Sequence, residues 1–325
     1  MNLLDLQSLQ VNIGSVQAVR EVSLQLAAGE CRALVGESGC GKSVTAMSLL
    51  NLLPAAANVQ AANWQFAGQD MRNLSEKTWR SLRGNQIAMI FQNPMTALDP
   101  TQTIGAQIAE PLRIHKGLSA GDAKRRAIAL LERLAIANPA QRAEQYPFEF
   151  SGGMLQRAMI AMAVVCEPKL LIADEPTTAL DVTVQAEVLS ILRELREANG
   201  TAMLFITHDL GVVAEIADSV SVMYAGQTIE SGHLLDVFAR EAHPYTQALK
   251  RAVPSLEDPQ PLQAIAGTPP DLRNPPSGCG FAARCPKRMA ICEQTPPAFS
   301  CGEDHQTRCW LWHPDHPARW RETGL

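Results

Sequence analysis

The chain has 325 residues, 19% of them charged, and a net charge of −5. That is room for one large domain or two, and the mildly acidic balance offers no basic footprint for a nucleic-acid partner. The longest apolar run, Ala158 to Cys166, is about half the roughly 18 residues a bilayer span needs, and Met1-Asn2-Leu3-Leu4-Asp5 lacks a secretory-signal pattern, so a cytoplasmic location is expected.

Leu3 to Val11 and Val16 to Leu26 alternate or cluster apolar residues as strands do, with Ala27–Glu30 as the turn after them, which predicts an antiparallel flank to a main sheet. Ala33-Leu34-Val35 reads as a short buried strand. Ser43 to Leu53, with Val44, Met47 and Leu50 on one face, reads as a helix stopped at Pro54. Between them lies Gly36-Glu37-Ser38-Gly39-Cys40-Gly41-Lys42-Ser43, a complete G-x-x-x-x-G-K-[ST] phosphate-binding loop in the strand-to-helix setting the motif requires. Its glycines let backbone N–H groups converge on phosphate oxygens, Lys42 adds a point charge, and Ser43 offers a hydroxyl to Mg²⁺.

A polar, small-residue segment with no predicted element follows Pro54. Ile87 to Phe91 is then a buried-strand run ending at Gln92, with a turn-rich loop from Asn93 to Pro100. Gln92 thus stands at a strand's carboxyl end, where open α/β sheets bind ligands. Ile104 to about Leu134 is helical, with Ser119 and Asp122 as a cap, and reads as an inserted helical subdomain. Ser151-Gly152-Gly153-Met154-Leu155-Gln156 opens another helix, a weak second anion signal by itself.

Lys169 to Glu175 is an apolar strand ending in two carboxylates. Successive strand side chains face opposite ways, so Asp174 and Glu175 take different tasks: one near Mg²⁺, the other facing the γ-phosphate as base or water-orienting group. Asp181 precedes a long helix carrying Val184, Val188, Ile191 and Leu195, and Asn199-Gly200 stops it. The strand Ala202 to Ile206 delivers His208 at its end, and further strands follow at Val220–Tyr224 and Gln227–Glu230. A helix begins at His243, and proline density from Pro254 to Pro276 reads as a linker. Of the eight cysteines, Cys31, Cys40 and Cys166 are scattered as small hydrophobes, while Cys279, Cys285, Cys292, Cys301 and Cys309 crowd the last fifth, which points to a metal or cluster site.

Taken in order, the phosphate loop, Gln92, Ser151-Gly152-Gly153, Asp174-Glu175, Asp181 and His208 resemble the motifs of the ATPase subunit of an ABC transporter, over about residues 1 to 250. Phe91–Pro100, Ala173–Thr183, His243–Thr246 and the tail Gly278–Cys309 resemble one branch, the importers of dipeptides, oligopeptides and nickel. The resemblance implies an α/β phosphate-loop NTPase core with an antiparallel flank and a helical subdomain at about 95–165, a Pro-rich linker at 251–276, and a small Cys-rich C-terminal extension at 277–325. It implies that Gly36 to Ser43 binds ATP, that Ser43, Gln92 and Asp174 hold Mg²⁺, that Glu175 is the general base and that His208 contacts the γ-phosphate. Ser151, Gly152, Gly153, Met154 and Gln156 would close over ATP held by a second ATPase subunit, with Asp181 in the loop between motifs. Two transmembrane permease subunits, an indirect solute-binding protein and a peripheral position at the cytoplasmic face of the membrane follow from the same resemblance. Three departures stand out: Ile13 where an aromatic usually stacks on adenine, Met154-Leu155 in the signature, and Phe150 for the usual Leu. A soluble ABC-type ATPase not coupled to transport is the alternative, and the transported solute stays open.

In the tail, Cys279, Cys285, Cys292 and Cys309 follow C-x₅-C-x₆-C-x₁₆-C, without the close pairs usual for zinc. A cluster takes four thiolates from a looser loop, and the resemblance implies a [4Fe–4S] cluster on these four. Cys301 competes with Cys309 for the fourth place, and zinc or reduced thiols are the other readings.

Overall fold

The computed structural model describes residues 2–178, 180–252 and 264–315. They form two compact units: one gathers the described residues of Met1–Leu26, Cys31–Arg72 and Thr207–Leu325, the other Ala27–Glu30 and Asn73–Ile206.

In the first unit two twelve-residue strands, Asn2–Ile13 and Val16–Ala27, alternate buried and exposed residues as their sequence predicts. From one edge the strand order is Gln69–Asp70, Asn63–Phe66, Asn2–Ile13, Val16–Ala27, Gln227–His233, Ser219–Tyr224 and Cys31–Val35, and Ala57–Gln60 also pairs with Asn2–Ile13. Ser219–Tyr224 runs parallel to Cys31–Val35 and antiparallel to Gln227–His233. Two departures from expectation are local. The segment after Pro54 holds three strands and, in the second unit, a helix, Glu76–Leu82; the strands are only two to four residues long, too short for periodicity to read well. The helix after the phosphate loop spans Lys42–Ser48 and stops before Pro54. Asn51 adopts φ 50°, its N–H donates to Ser48 O at 2.9 Å, and the Leu52 N–H donates to Met47 O at 2.9 Å. That bond pattern is a Schellman termination with asparagine as the left-handed residue.

The second unit stacks three parallel strands, Ile87–Ile90, Leu170–Asp174 and Ala202–Thr207, every residue of them buried. This matches their unbroken apolar sequence. The helical insertion comprises Ile104–Lys116 and Ala120–Arg133 packed on each other and on Gly152–Val164. Gly117 caps the first in the left-handed region, and the Ser119 hydroxyl accepts the Asp122 N–H at 3.1 Å to start the second. Among the described residues no helix is long and apolar enough to cross a membrane.

Residues 253–263, part of the expected linker, lie outside the described residues. From 264 onward that segment is tied down: Gln17 N–H donates to Leu272 O at 2.9 Å, and Arg20 Nη2 donates to Pro276 O at 2.9 Å. The cysteine-rich tail adds two-residue strands, Phe299–Ser300 and Gln306–Thr307, the latter on Gln227–His233. Its Phe281 is buried among Tyr224 and Tyr245, ring centroids 5.3 and 5.4 Å away. Burying that ring removes apolar surface the tail could not cover by itself.

Candidate functional site

The phosphate loop leaves the buried strand Cys31–Val35 at Gly36, whose φ is 152°. A Cβ at Gly36 would stand 2.2 Å from Met223 O, and one at Gly41, φ 103°, 2.5 Å from Ala18 O. Both positions therefore demand glycine, through torsion and through backbone approach. Lys42 is 6% exposed, and its Nζ donates to Gly36 O at 2.8 Å and Glu37 O at 3.0 Å. The ammonium is thus held by the carbonyls at the start of its own loop. Ser43 follows at the second helical position. Cys40 is buried beside Lys42, and desolvation raises its thiol pKa, so it stays a small hydrophobe.

Glu37 has partners the sequence reading missed. Its N–H donates to the Tyr245 hydroxyl at 2.9 Å, and its carboxylate takes both guanidinium nitrogens of Arg284, at 2.6 and 3.0 Å. No local pattern pointed to Arg284; Tyr245 at least lies in the His243–Thr246 segment already singled out. His208 sits exposed just past the strand Ala202–Thr207, with Asp209 capping the next helix.

In the second unit the strand Leu170–Asp174 ends at a buried Asp174. Glu175 takes φ 48°, the left-handed region that non-glycine residues rarely occupy, while its N–H donates to Ile206 O at 2.9 Å. Strain of this kind concentrates at functional positions. Gln92 Nε2 donates to Glu175 Oε2 at 2.9 Å, and the Thr178 hydroxyl donates to the same oxygen at 3.0 Å. The structure thus brings together two predicted residues 83 positions apart. Ser151 caps its helix by accepting the Met154 N–H at 3.4 Å, and both Ser151 and Gly152 are exposed. Gln156 instead points inward: it is buried, and its Nε2 donates to Pro176 O at 2.6 Å, tying the signature helix to the turn just after Glu175. Asp181 Oδ1 accepts the Val184 N–H at 3.0 Å and caps Val182–Asn199. Of the departures, Phe150 is buried and Ile13 is half-buried at its strand's end, opposite Ala57.

Cys279, Cys285, Cys292 and Cys309 line one small cavity with His243, Lys287 and Met289. Nearby backbone N–H groups, those of Phe281, Lys287 and Leu311, favour the charged forms of Cys279, Cys285 and Cys309. Burial still dominates and pushes Cys279 up to about 11 and Cys309 up to about 12, so these two would be thiolates here only beside a compensating cation. Cys301 is not part of that lining; its thiol donates to His305 O at 3.4 Å. His243 accepts the Tyr245 N–H at Nδ1, which leaves its proton on Nε2, and that buried nitrogen has no partner among the described residues. Desolvation lowers the imidazole to about 3, so it is neutral. Among the described residues no three His, Cys, Asp or Glu side chains are arranged to hold a metal ion.

Known proteins resemble this chain in sequence and in fold. The ABC transporter family profile matches residues 19–178, and that of the oligopeptide/dipeptide transporter C-terminal region matches 229–292. The chain is 49% identical to the dipeptide transport ATP-binding protein DppD of Bacillus subtilis, covering 95% of this chain and 94% of that one. It is also 49% identical to the oligopeptide transport ATP-binding protein OppD of the same organism, over 97% of this chain and 90% of that one. A third relative at 49%, the probable D,D-dipeptide transport ATP-binding protein DdpD of Escherichia coli, is covered to 97%. Among solved structures, a dimeric ATP-binding cassette bound to ADP and Pi superposes with a TM-score of 0.63 at 24% identity, covering 71% of this chain and 98% of that one. That likeness carries the fold alone.

Proposed function

This chain belongs to the ABC transporter ATP-binding subunits of the oligopeptide and dipeptide type, and from that premise we propose that it hydrolyses ATP to energise import of a peptide or a related small solute. The observation that carries the reading is the phosphate loop, whose two most confined glycines stand against backbone oxygens while Lys42 is held beneath. In this reading Gly36 to Ser43 takes the ATP phosphates, with Ser43, Gln92 and Asp174 as the residues to hold Mg²⁺. Bound Mg²⁺ supplies charge neutralisation to phosphoryl transfer. Glu175 receives the proton of the attacking water, and the donors Gln92 and Thr178 fix where its Oε2 sits. His208 contacts the γ-phosphate. The exposed Ser151 and Gly152, with Gly153 and Met154, close over ATP on a second ATPase subunit, a copy or a paralogue. Gln156 acts from within, coupling that helix to the turn after Glu175.

Closure of such a dimer would be coupled to two transmembrane permease subunits, and through them to a solute-binding protein. The chain would sit at the cytoplasmic face of the membrane. Glu175→Gln should leave ATP binding intact and slow hydrolysis by about a hundredfold or more, the usual scale for a lost general base. Turnover within a few-fold of wild type would overturn the assignment.

We propose also that Cys279, Cys285, Cys292 and Cys309 hold a [4Fe–4S] cluster. Their shared cavity, and the neighbouring Nε2–H of His243 without an acceptor among the described residues, suit a sulfur-rich anionic group. A cluster would cross-link four points of a segment that has little regular structure. Anaerobically purified chain should be brown with about four iron and four sulfide. Replacing any of the four with Ser should bleach it, and Cys301→Ser should not. One zinc, or no metal, would refute the cluster.

A further inference from the structure

We infer that Arg284, in the cysteine-rich extension, is a positioning residue for the phosphate loop. The side chain is 4% exposed, and all five of its N–H donors have directions to spend. Nη1 donates to Glu37 Oε2 at 2.6 Å and to the Tyr224 hydroxyl at 3.1 Å. Nη2 donates to Glu37 Oε1 at 3.0 Å and to Ile265 O at 3.1 Å, and Nε donates to Ala266 O at 2.8 Å. The guanidinium also lies 5.8 Å from the ring centroids of Tyr224 and Phe281. A saturated, stacked guanidinium is a fixed point, and its fork matches a carboxylate in one orientation.

That carboxylate belongs to the second residue of the loop. With its N–H on Tyr245 and its side chain on Arg284, Glu37 is held at both ends, and its carbonyl is one of the two that hold Lys42 Nζ. The extension therefore fixes the lysine carbonyl cradle across 247 positions of sequence. Arg284 touches no phosphate in this arrangement; it acts through Glu37. The inference rests on reading Gly36–Ser43 as the ATP phosphate loop, and it is independent of what fills the cysteine cavity.

The test is a double-mutant cycle on the full chain, with MANT-ATP as the probe. Arg284→Ala and Glu37→Ala should each weaken binding by about tenfold, and the double variant by about tenfold rather than a hundredfold, because both remove one interaction. Arg284→Lys should recover part of the loss, since an ammonium keeps the charge and loses the fork. In the assembled transporter the KM for ATP should rise while kcat at saturating ATP stays within twofold, a split that a merely folding role would not give. Glu37→Ala reaches the same pair without altering the extension, so a poorly folded Arg284 variant leaves the question answerable. Affinity of both single variants within twofold of wild type, or effects that multiply, would overturn the inference. Lys42→Ala is the control on the premise: if it too binds like wild type, the phosphate-loop reading falls; if it alone loses binding, only the role of Arg284 falls.

Discussion

The phosphate loop and the cysteine-rich extension share one compact unit and are built in opposite ways. The loop is eight consecutive residues, and what shapes it is backbone crowding at Gly36 and Gly41. The extension is fastened by side chains to distant partners: Arg284 to Glu37, His305 to Glu230 75 positions back, and Arg308 to Glu21 287 positions back. Chemistry made of adjacent residues is written as a motif, whereas chemistry made of long-range pairs leaves single charges scattered along the sequence. The two should also fail differently: the loop through steric intolerance of one methyl group, the extension through loss of individual polar partners.

The largest expected effect tests the steric side. Gly36→Ala places a Cβ 2.2 Å from a backbone oxygen, at a torsion alanine avoids, and no rotamer relieves it. We expect a loss of about 3 kcal/mol or more and no measurable ATP binding, by thermal denaturation and nucleotide titration. Gly152→Ala is the counterpart: nothing lies within 4 Å of its Cβ, and it opens a helix. Its stability should change by less than about 1 kcal/mol, and in the favourable direction. Equal losses in the two variants would break the distinction between a crowded glycine and an open one.

This contrast also explains what could be read from the sequence. The three buried strands of the second unit, the phosphate loop, and Asp174-Glu175 were legible because each is continuous and apolar or contiguous and chemical. Gln92 lies two residues beyond the strand, which ends at Ile90 rather than Phe91, and its bond to Glu175 could not be foreseen, since it depends on the left-handed turn at Glu175. The strands Ala57–Gln60 and Asn63–Phe66 escaped notice because each is only four residues long, too short for an alternation to register. The helix after the loop stops at Ser48, with Asn51 as the left-handed residue beyond it, rather than running on to the more conspicuous Pro54, because the Schellman bonds act first. Spacing left Cys301 and Cys309 in competition, and only the fold separates them, sending the Cys301 thiol to a carbonyl. Arg284, Arg308 and His305 carried no sequence signal at all, being ordinary polar residues until their partners are known.

The next effect tests the polar side at its most buried point. The Glu230 carboxylate is fully enclosed and accepts the N–H groups of Ala242 at 2.7 Å and His243 at 2.8 Å, with His305 Nε2 at 2.7 Å. Glu230→Ala strands these donors in a dry site, which costs about 3–5 kcal/mol when the lost group is a buried charge partner. Urea unfolding of the full chain should show the lower midpoint. His305→Ala should cost less, because two backbone donors still satisfy the carboxylate. A change below about 1 kcal/mol in Glu230→Ala would mean that the tail is held elsewhere.

The smallest effect is expected at Arg308, and there the measurement is salt rather than size. Arg308 meets Glu21 through Nη1 at 2.8 Å and Nη2 at 2.5 Å, geometry as good as that of Arg284 with Glu37. The environments differ at the arginine: the Arg308 side chain is 19% exposed and that of Arg284 4%, while the partner carboxylates Glu21 and Glu37 are 31% and 26% exposed. Water and counterions therefore reach the Arg308 pair, and its Coulomb energy is screened over about 10 Å at 0.1 M salt. The Arg308 backbone N–H still donates to Ile229 O at 2.7 Å, so the strand contact survives the substitution. Arg308→Ala should thus cost about 1 kcal/mol at low ionic strength and shrink toward zero in 1 M salt, where the screening length falls to about 3 Å. The loss of nucleotide affinity in Arg284→Ala should persist at high salt, because a stacked, saturated guanidinium owes its hold to directional bonds shielded from solvent. If the two variants respond to salt alike, burial is not what separates an anchoring ion pair from an incidental one in this extension.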